Sequence, residues 1–162
     1  MSYKTLSILG LGLALLASGV RPAHAVDELN IVSGYTTAGA PLALHGHDPV
    51  ALVNGQGSKK GTAKFTAVAD GQSYYFVSQA NLDTFKAAPA KYEPQFGGYC
   101  AFGVSAGKKF DGDPDFAAVQ DGKLYVFVNE DILRMFEKDK AGTLSKASAN
   151  WTAIKSKSPA SL

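Results

Sequence analysis

Apolar and polar positions alternate in two short runs, residues 64–68 and 73–77, on either side of Asp70-Gly71. Both turn residues accept positive φ, so the pattern predicts a β-hairpin. Ser78 then offers an N-cap, and Leu82, Phe85 and Ala88 recur at helical spacing until Pro89. This predicts a helix over Gln79–Ala87, with Lys86 near the end where the helix dipole favours a cation. Further along, Asp113-Pro114 with Phe116, Ala117 and Val119 predicts a short helix, and Asp121-Gly122 predicts a second turn before a strand at 123–128. Asn129 caps a predicted helix that carries Ile132, Leu133 and Phe136 and ends near Lys140; Gly142 reads as a stop, and residues 144–151 as one more short helix. Hairpin strands alternating with short helices imply an α+β fold, a small antiparallel hairpin or meander sheet with short helices packed on it. No internal repeat is evident in this pattern.

The ends of the chain read differently. Residues 6–20 are almost wholly apolar, follow a single Lys4, and precede Ala23-His24-Ala25, a small-x-small cleavage signature. Residues 1–25 are therefore expected to be a secretory signal peptide cut after Ala25, leaving no membrane anchor and a periplasmic product. Residues 26–41 look like an exposed lead-in with a short strand at 29–32, the folded unit spans 42–151, and the Ser/Lys-rich tail 152–162 is expected to fray.

The chain has 162 residues, 46% hydrophobic and 19% charged, which fits one globular domain with an ordinary core. Losing Lys4 and Arg21 with the signal peptide brings the 16 basic residues into balance with the 14 acidic ones. A neutral protein with no basic run longer than Lys59-Lys60 or Lys108-Lys109 is not expected to bind nucleic acid. Asp111-Gly112-Asp113-Pro114-Asp115 begins like a calcium loop, but Phe116 stands where the loop needs glycine and Gly122 where it needs glutamate, so the segment reads as a turn.

An ordered set of motifs resembles the YHS domain family, and more closely its exported bacterial subgroup. The set is Gly46-His47-Asp48-Pro49-Val50-Ala51, Tyr74-Tyr75-Phe76-Val77-Ser78, Phe85-Lys86-Ala87-Ala88-Pro89-Ala90-Lys91-Tyr92, Pro94-Gln95-Phe96-Gly97-Gly98-Tyr99-Cys100-Ala101, Asp121-Gly122-Lys123-Leu124-Tyr125 and Asn150-Trp151. The wider group is similar to TRASH-type modules associated with copper and other heavy-metal transport, so the resemblance implies metal handling. It also implies a three-cysteine site, with one cysteine after the Asp-Pro-Val segment and two opening the helix after the strand. In this chain those places hold Ala51, Val77 and Asn81, none of which supplies a thiolate.

Signal cleavage would also remove His24, leaving His45, His47 and Cys100 as the histidines and cysteine of the mature chain. On extended backbone, His45 and His47 point to one side, and a thiolate arriving from the glycine-flexed segment completes a His₂Cys set suited to copper or zinc. Asp48, Met135, Tyr99 or water would be the fourth ligand. The bland alternative is that His47 serves the turn before Asp48-Pro49 and Cys100 packs as a small hydrophobe. A Cys100–His47 dyad, with Gly97 and Gly98 presenting N–H groups to an oxyanion, has no orienting third group in the sequence, and no enzyme activity is expected. The expected function is an exported metal-binding accessory protein using His45, His47 and Cys100. The alternative is a non-catalytic interaction module that has lost the family site and contacts a protein partner through the Tyr/Phe-rich surface around the double glycine. A heme or small-molecule pocket between hairpin and helices is a third reading.

Overall fold

The structure, a computed structural model, describes residues 26–162; the expected signal peptide lies outside them. Two short strands, β1 (Ile31–Val32) and β2 (Leu42–Ala43), lead through the 3-10 turn Leu44–Gly46 into helix α1 (Pro49–Val53). The hairpin β3 (Thr62–Ala69) and β4 (Gln72–Phe76) turns where Asp70-Gly71 predicts, with φ of 44° and 80°. Helix α2 (Gln79–Ala87) starts at Ser78, whose side chain accepts the Asn81 N–H, and α3 (Pro89–Tyr92) follows it. After a second 3-10 turn, Gln95–Gly98, come α4 (Ala101–Ser105), the hairpin β5 (Asp113–Gln120) and β6 (Lys123–Phe127), then α5 (Glu130–Lys138) and α6 (Lys140–Ile154). Among the described residues the strands form a sheet of order β1-β2-β4-β3 and a separate β5-β6 ribbon. The fold is α+β, as the hairpin signals and helix caps predict.

These elements fall into two copies of one unit, which overturns the expectation that the chain lacks a repeat. The boundaries of β3, β4 and α2 reappear 51 residues later, from Thr62 to Asp113, Gln72 to Lys123 and Gln79 to Glu130. Irregularities repeat as well. The register of the first hairpin shifts between Thr62 and Thr66, and that of the second between Asp113 and Ala117. The parallel pairing of Leu42 with Ser73 returns as Pro94 with Leu124. His47 bridges Lys60, and Tyr99 bridges Asp111. Leu44, His45 and Gly46 have positive φ before α1, and Phe96, Gly97 and Gly98 have it before α4.

The residues shared by the two copies are largely those that fill the cores. In the first, Tyr74, Phe76, Leu82 and Phe85 pack together with ring centroids 4.9 and 5.1 Å from Phe85. In the second, Tyr125, Phe127, Leu133 and Phe136 occupy the matching places, with Phe127 4.7 Å from Phe136. The copies are joined by an apolar seam, because Leu124 and Val126 of β6 belong to the first core along with Val50 and Phe76. Such burial is the dominant favourable term for both units.

Three expectations change. Residues 113–119 are strand rather than helix: Pro114 is fully buried where the register shifts, and Phe116 and Ala118 face the second core. Gly142 does not stop a helix but sits in the first turn of α6, where its N–H donates to the capping Asp139 side chain. The helix expected at 144–151 extends to Ile154, and beyond it Leu162 packs against the cluster of Tyr99, Val104, Ala147 and Ile154.

Candidate functional site

Asp48 and Cys100 hold equivalent places in the two units, each the N-cap of the short helix that follows it. The Asp48 side chain is fully buried. Its Oδ1 accepts the N–H groups of Val50 and Ala51 at 2.8 and 3.1 Å, and its Oδ2 those of Val77 and the Asn81 side chain at 2.9 and 2.7 Å. The carboxylate thus ties α1 to the end of β4 and the start of α2. Ala51, Val77 and Asn81, where the YHS resemblance places the relatives' cysteines, all reach this one carboxylate.

Cys100 does for the second unit what Asp48 does for the first. Its sulfur accepts the Gly103 N–H at 3.4 Å and faces the backbone N–H groups of Phe102 and Val128, the counterparts of Val50, Ala51 and Val77. The thiol is 1% exposed and packs with Ala101, Tyr125, Phe127 and Phe136. Burial pushes its pKa up, against the smaller opposing pull of these three N–H groups. Asn81 is matched by Ile132, so this unit also offers no ligand at the corresponding places, Gly103, Val128 and Ile132.

The histidines do not share one face, because the backbone is not extended at His45, where φ is 49°. His45 Nε2 lies 2.9 Å from Asp111 Oδ1, and Asp111 also accepts the Asn30 side-chain amide at 2.7 Å. His47 is 5% exposed. Its Nδ1 lies 3.0 Å from the Leu44 carbonyl, the geometry of an N–H donating to an acceptor-only oxygen, and its Nε2 lies 3.4 Å from Asp115 Oδ1. Ser58 donates to the same Asp115 oxygen at 2.6 Å. Each imidazole of the first unit therefore meets a carboxylate on the approach to, or within, β5 of the second. Two of the three alternating aspartates that resemble a failed calcium loop, Asp111 and Asp115, are these partners. Their spacing is visible in the sequence, but nothing local indicates that they meet histidines more than sixty residues away.

His45, His47 and Cys100 as placed do not fit a shared copper or zinc ion. The sulfur is buried among aromatic rings with its lone pairs directed at backbone N–H groups, His45 Nε2 faces Asp111, and both nitrogens of His47 have partners of their own. Among the described residues, no group of three or more His, Cys, Asp or Glu side chains is placed to hold a metal. Beside Asp115, a groove of about 430 Å³ runs between the segment after α1 and β5, lined by Leu52, Val53, Ser58, Pro114, Ala117 and Val119 among others.

Gly97 and Gly98 serve a packing purpose. A Cβ on Gly97 would stand 1.9 Å from the Glu28 carbonyl oxygen, and the Gly97 and Gly98 carbonyls accept the Asn30 backbone N–H and side-chain amide at 2.8 and 2.9 Å. The double glycine is covered by residues of the N-terminal lead-in.

Lys109 is the functional-looking residue that sequence reasoning passes over. At 5% exposure, its ammonium donates to the carbonyls of Asp27, Lys155 and Lys157 at 2.6, 2.5 and 2.7 Å and lies 5.2 and 5.4 Å from the rings of Tyr99 and Trp151. Burial lowers its pKa, while Asp27 and Glu28 pull it back up. As one of a pair of surface-like lysines, it gives no sequence signal of this role. No family model, curated protein or solved structure matches the chain.

Proposed function

We propose that this chain is an exported, non-catalytic interaction module on a YHS-type scaffold that has lost the cysteine metal site. The observation that carries this reading is the convergence of Ala51, Val77 and Asn81 on Asp48. The three positions meet in space, and they present two backbone N–H groups and an amide to a carboxylate. A site so filled has hydrogen-bond donors where a metal needs lone pairs. The repeat supports the reading further, because the second unit closes the same place with apolar groups and the Cys100 thiol. The non-catalytic part rests on Cys100 as well: a buried thiol with its pKa raised is a poor nucleophile, and His47 is committed to Leu44 and Asp115.

The test is a titration of the reduced, untagged protein with Cu(I), Cu(II) and Zn(II), run beside Cys100→Ala and His47→Ala. Weak binding that neither substitution changes is the expected result. Stoichiometric tight binding abolished by both would overturn the module reading and restore a His/Cys metal site.

A further inference from the structure

The face formed by Gly97, Gly98, Tyr99 and Lys109 carries residues 27–32, which run from a 3-10 turn at Val26–Glu28 into β1, in the way a peptide-binding site carries its ligand. The Tyr99 hydroxyl donates toward the carbonyls of Asp27 and Leu29, at 3.2 and 3.1 Å, and Lys109 Nζ donates to Asp27 at 2.6 Å. Asn30 bonds Gly97, Gly98 and Asp111, and Ile31 and Val32 then add antiparallel to Ala43 and Leu42 at the sheet edge. No side chain from 27 to 32 is fully buried, and backbone bonds together with the Asn30 carboxamide contribute to holding the segment. The receiving groups, by contrast, are buried: Tyr99 is 6% exposed, and the absent Cβ of Gly97 leaves the space that the Glu28 carbonyl fills. Without the segment, the Tyr99 hydroxyl loses both of these acceptors and Lys109 one of three. Buried donors left in that condition demand replacement carbonyls.

We infer that this face is a peptide site, filled in cis by residues 27–32 as a displaceable strap and able to take the same segment from a second copy of the chain. Recognition is by β-augmentation where Ile31 and Val32 join β2 and by bonds to the Asp27 and Leu29 carbonyls before it, with Asn30 supplying the register. A short exposed hinge, Ser33–Tyr35, joins the strap to the fold: Gly34 has φ of 97° with no atom within 4 Å of where a Cβ would stand, and the chain is anchored again only at Thr36, which bonds Ala40 and Ser73. The inference rests on the interaction-module reading for its purpose. It also replaces the surface around the double glycine, expected to be open to a partner, with one that the chain itself occupies.

The experiment uses full-length Asn30→Ala, in which the strap is weakened while the receiving face is intact. It is titrated with a fluorescent peptide of residues 26–32 and, separately, with the same peptide carrying alanine at the Asn30 position. The expected result is saturable binding of the native peptide, at least tenfold tighter to Asn30→Ala than to the unsubstituted protein, with the alanine peptide at least tenfold weaker. Failure of the native peptide to bind folded Asn30→Ala, or equal binding of the two peptides, overturns the site. Hydrogen exchange on the unsubstituted protein and on Tyr99→Phe needs no Asn30 variant. Amides of 29–32 are expected to exchange faster than those of β3 and β4, and faster still in Tyr99→Phe; exchange at the rate of the core overturns the strap. Metal titration addresses the module reading and peptide titration this site, so failure of either is distinguishable from failure of the other.

Discussion

Asp48 and Cys100 do the same job with unequal strength, which lets substitutions at the two positions calibrate each other. Asp48 is fully buried and accepts four N–H groups, two of them buried and two partly buried, and Asp48→Ala leaves the buried pair from Val50 and Ala51 without partners. The expected loss is about 3 kcal/mol or more. A sulfur accepts more weakly, so Cys100→Ala is expected to cost about 1–2 kcal/mol, mostly for the small cavity it leaves. Urea unfolding of both variants checks the order; a Cys100→Ala loss equal to that of Asp48→Ala would contradict it. Titration adds a second expectation. Burial raises the pKa of Cys100 above its ordinary value of 9.0 and those of Tyr74, Tyr99 and Tyr125 above 10.0, so in that alkaline window the unfolded chain binds fewer protons than the folded one. Stability then falls as pH rises. Lys109, lowered from 10.5, works in the opposite sense, because there the unfolded chain holds the extra proton. Three tyrosines and a cysteine outweigh one lysine, and the urea midpoint is expected to drop from about pH 9 upward. Cys100→Ala should remove the earliest part of that drop.

At the scale of elements, the glycines separate packing from propensity. Gly61 and Gly112 are counterparts, each pressed against the second strand of its own hairpin. A Cβ on Gly61 would lie 2.3 to 2.6 Å from backbone atoms of Tyr75 and Phe76, which cannot swing aside. Gly61→Ala is therefore expected to destabilise by about 2–4 kcal/mol, at or above the usual overpacking range. Gly142 looks as crowded, but the atoms in its way belong to the Asp139 side chain. That side chain can rotate at the loss of a cap worth about 1 kcal/mol, while alanine in the helix returns about 1 kcal/mol. Gly142→Ala is expected to lie within about 1 kcal/mol of the parent in thermal or urea unfolding. The same contrast explains what was legible in the sequence. Asp70-Gly71, Asp121-Gly122, Ser78 and Asn129 act on their immediate neighbours, so reading them locally places both turns and two helix starts. Pro114 and Gly142 misled because their local preferences, helix start and helix stop, yield to a buried strand bulge and to a cap.

The repeat and the candidate site were not legible for a different reason, and it bears on how the whole molecule unfolds. The two units share the residues that fill cores, such as Phe65 and Phe116, Tyr74 and Tyr125, or Phe85 and Phe136, but diverge where they face water or each other, as Lys64 and Asp115 do. The likeness is spread over isolated apolar positions, and the pairing of His45 with Asp111 and His47 with Asp115 depends on how one unit docks on the other. The units therefore meet through polar pairs and through an apolar seam, and the magnitudes decide which one matters. His45 and Asp111 are 33% and 67% exposed, and an ion pair so placed contributes about 0–1 kcal/mol. Leu124, fully buried in the first unit's core although it belongs to the second, contributes on the scale of a leucine truncation, about 2–5 kcal/mol. The apolar seam thus outweighs the His–Asp pairs: the first unit's core is incomplete without Leu124 and Val126 of the second, and those side chains lose their cover without the first. Unfolding followed by Trp151 fluorescence, which reports the second unit, is expected to coincide with unfolding followed by far-UV circular dichroism, which reports both. Leu124→Ala should lower the shared midpoint much more than His45→Ala. Two separated transitions, or a His45→Ala effect as large as that of Leu124→Ala, would mean that the units fold independently and meet only through their polar faces.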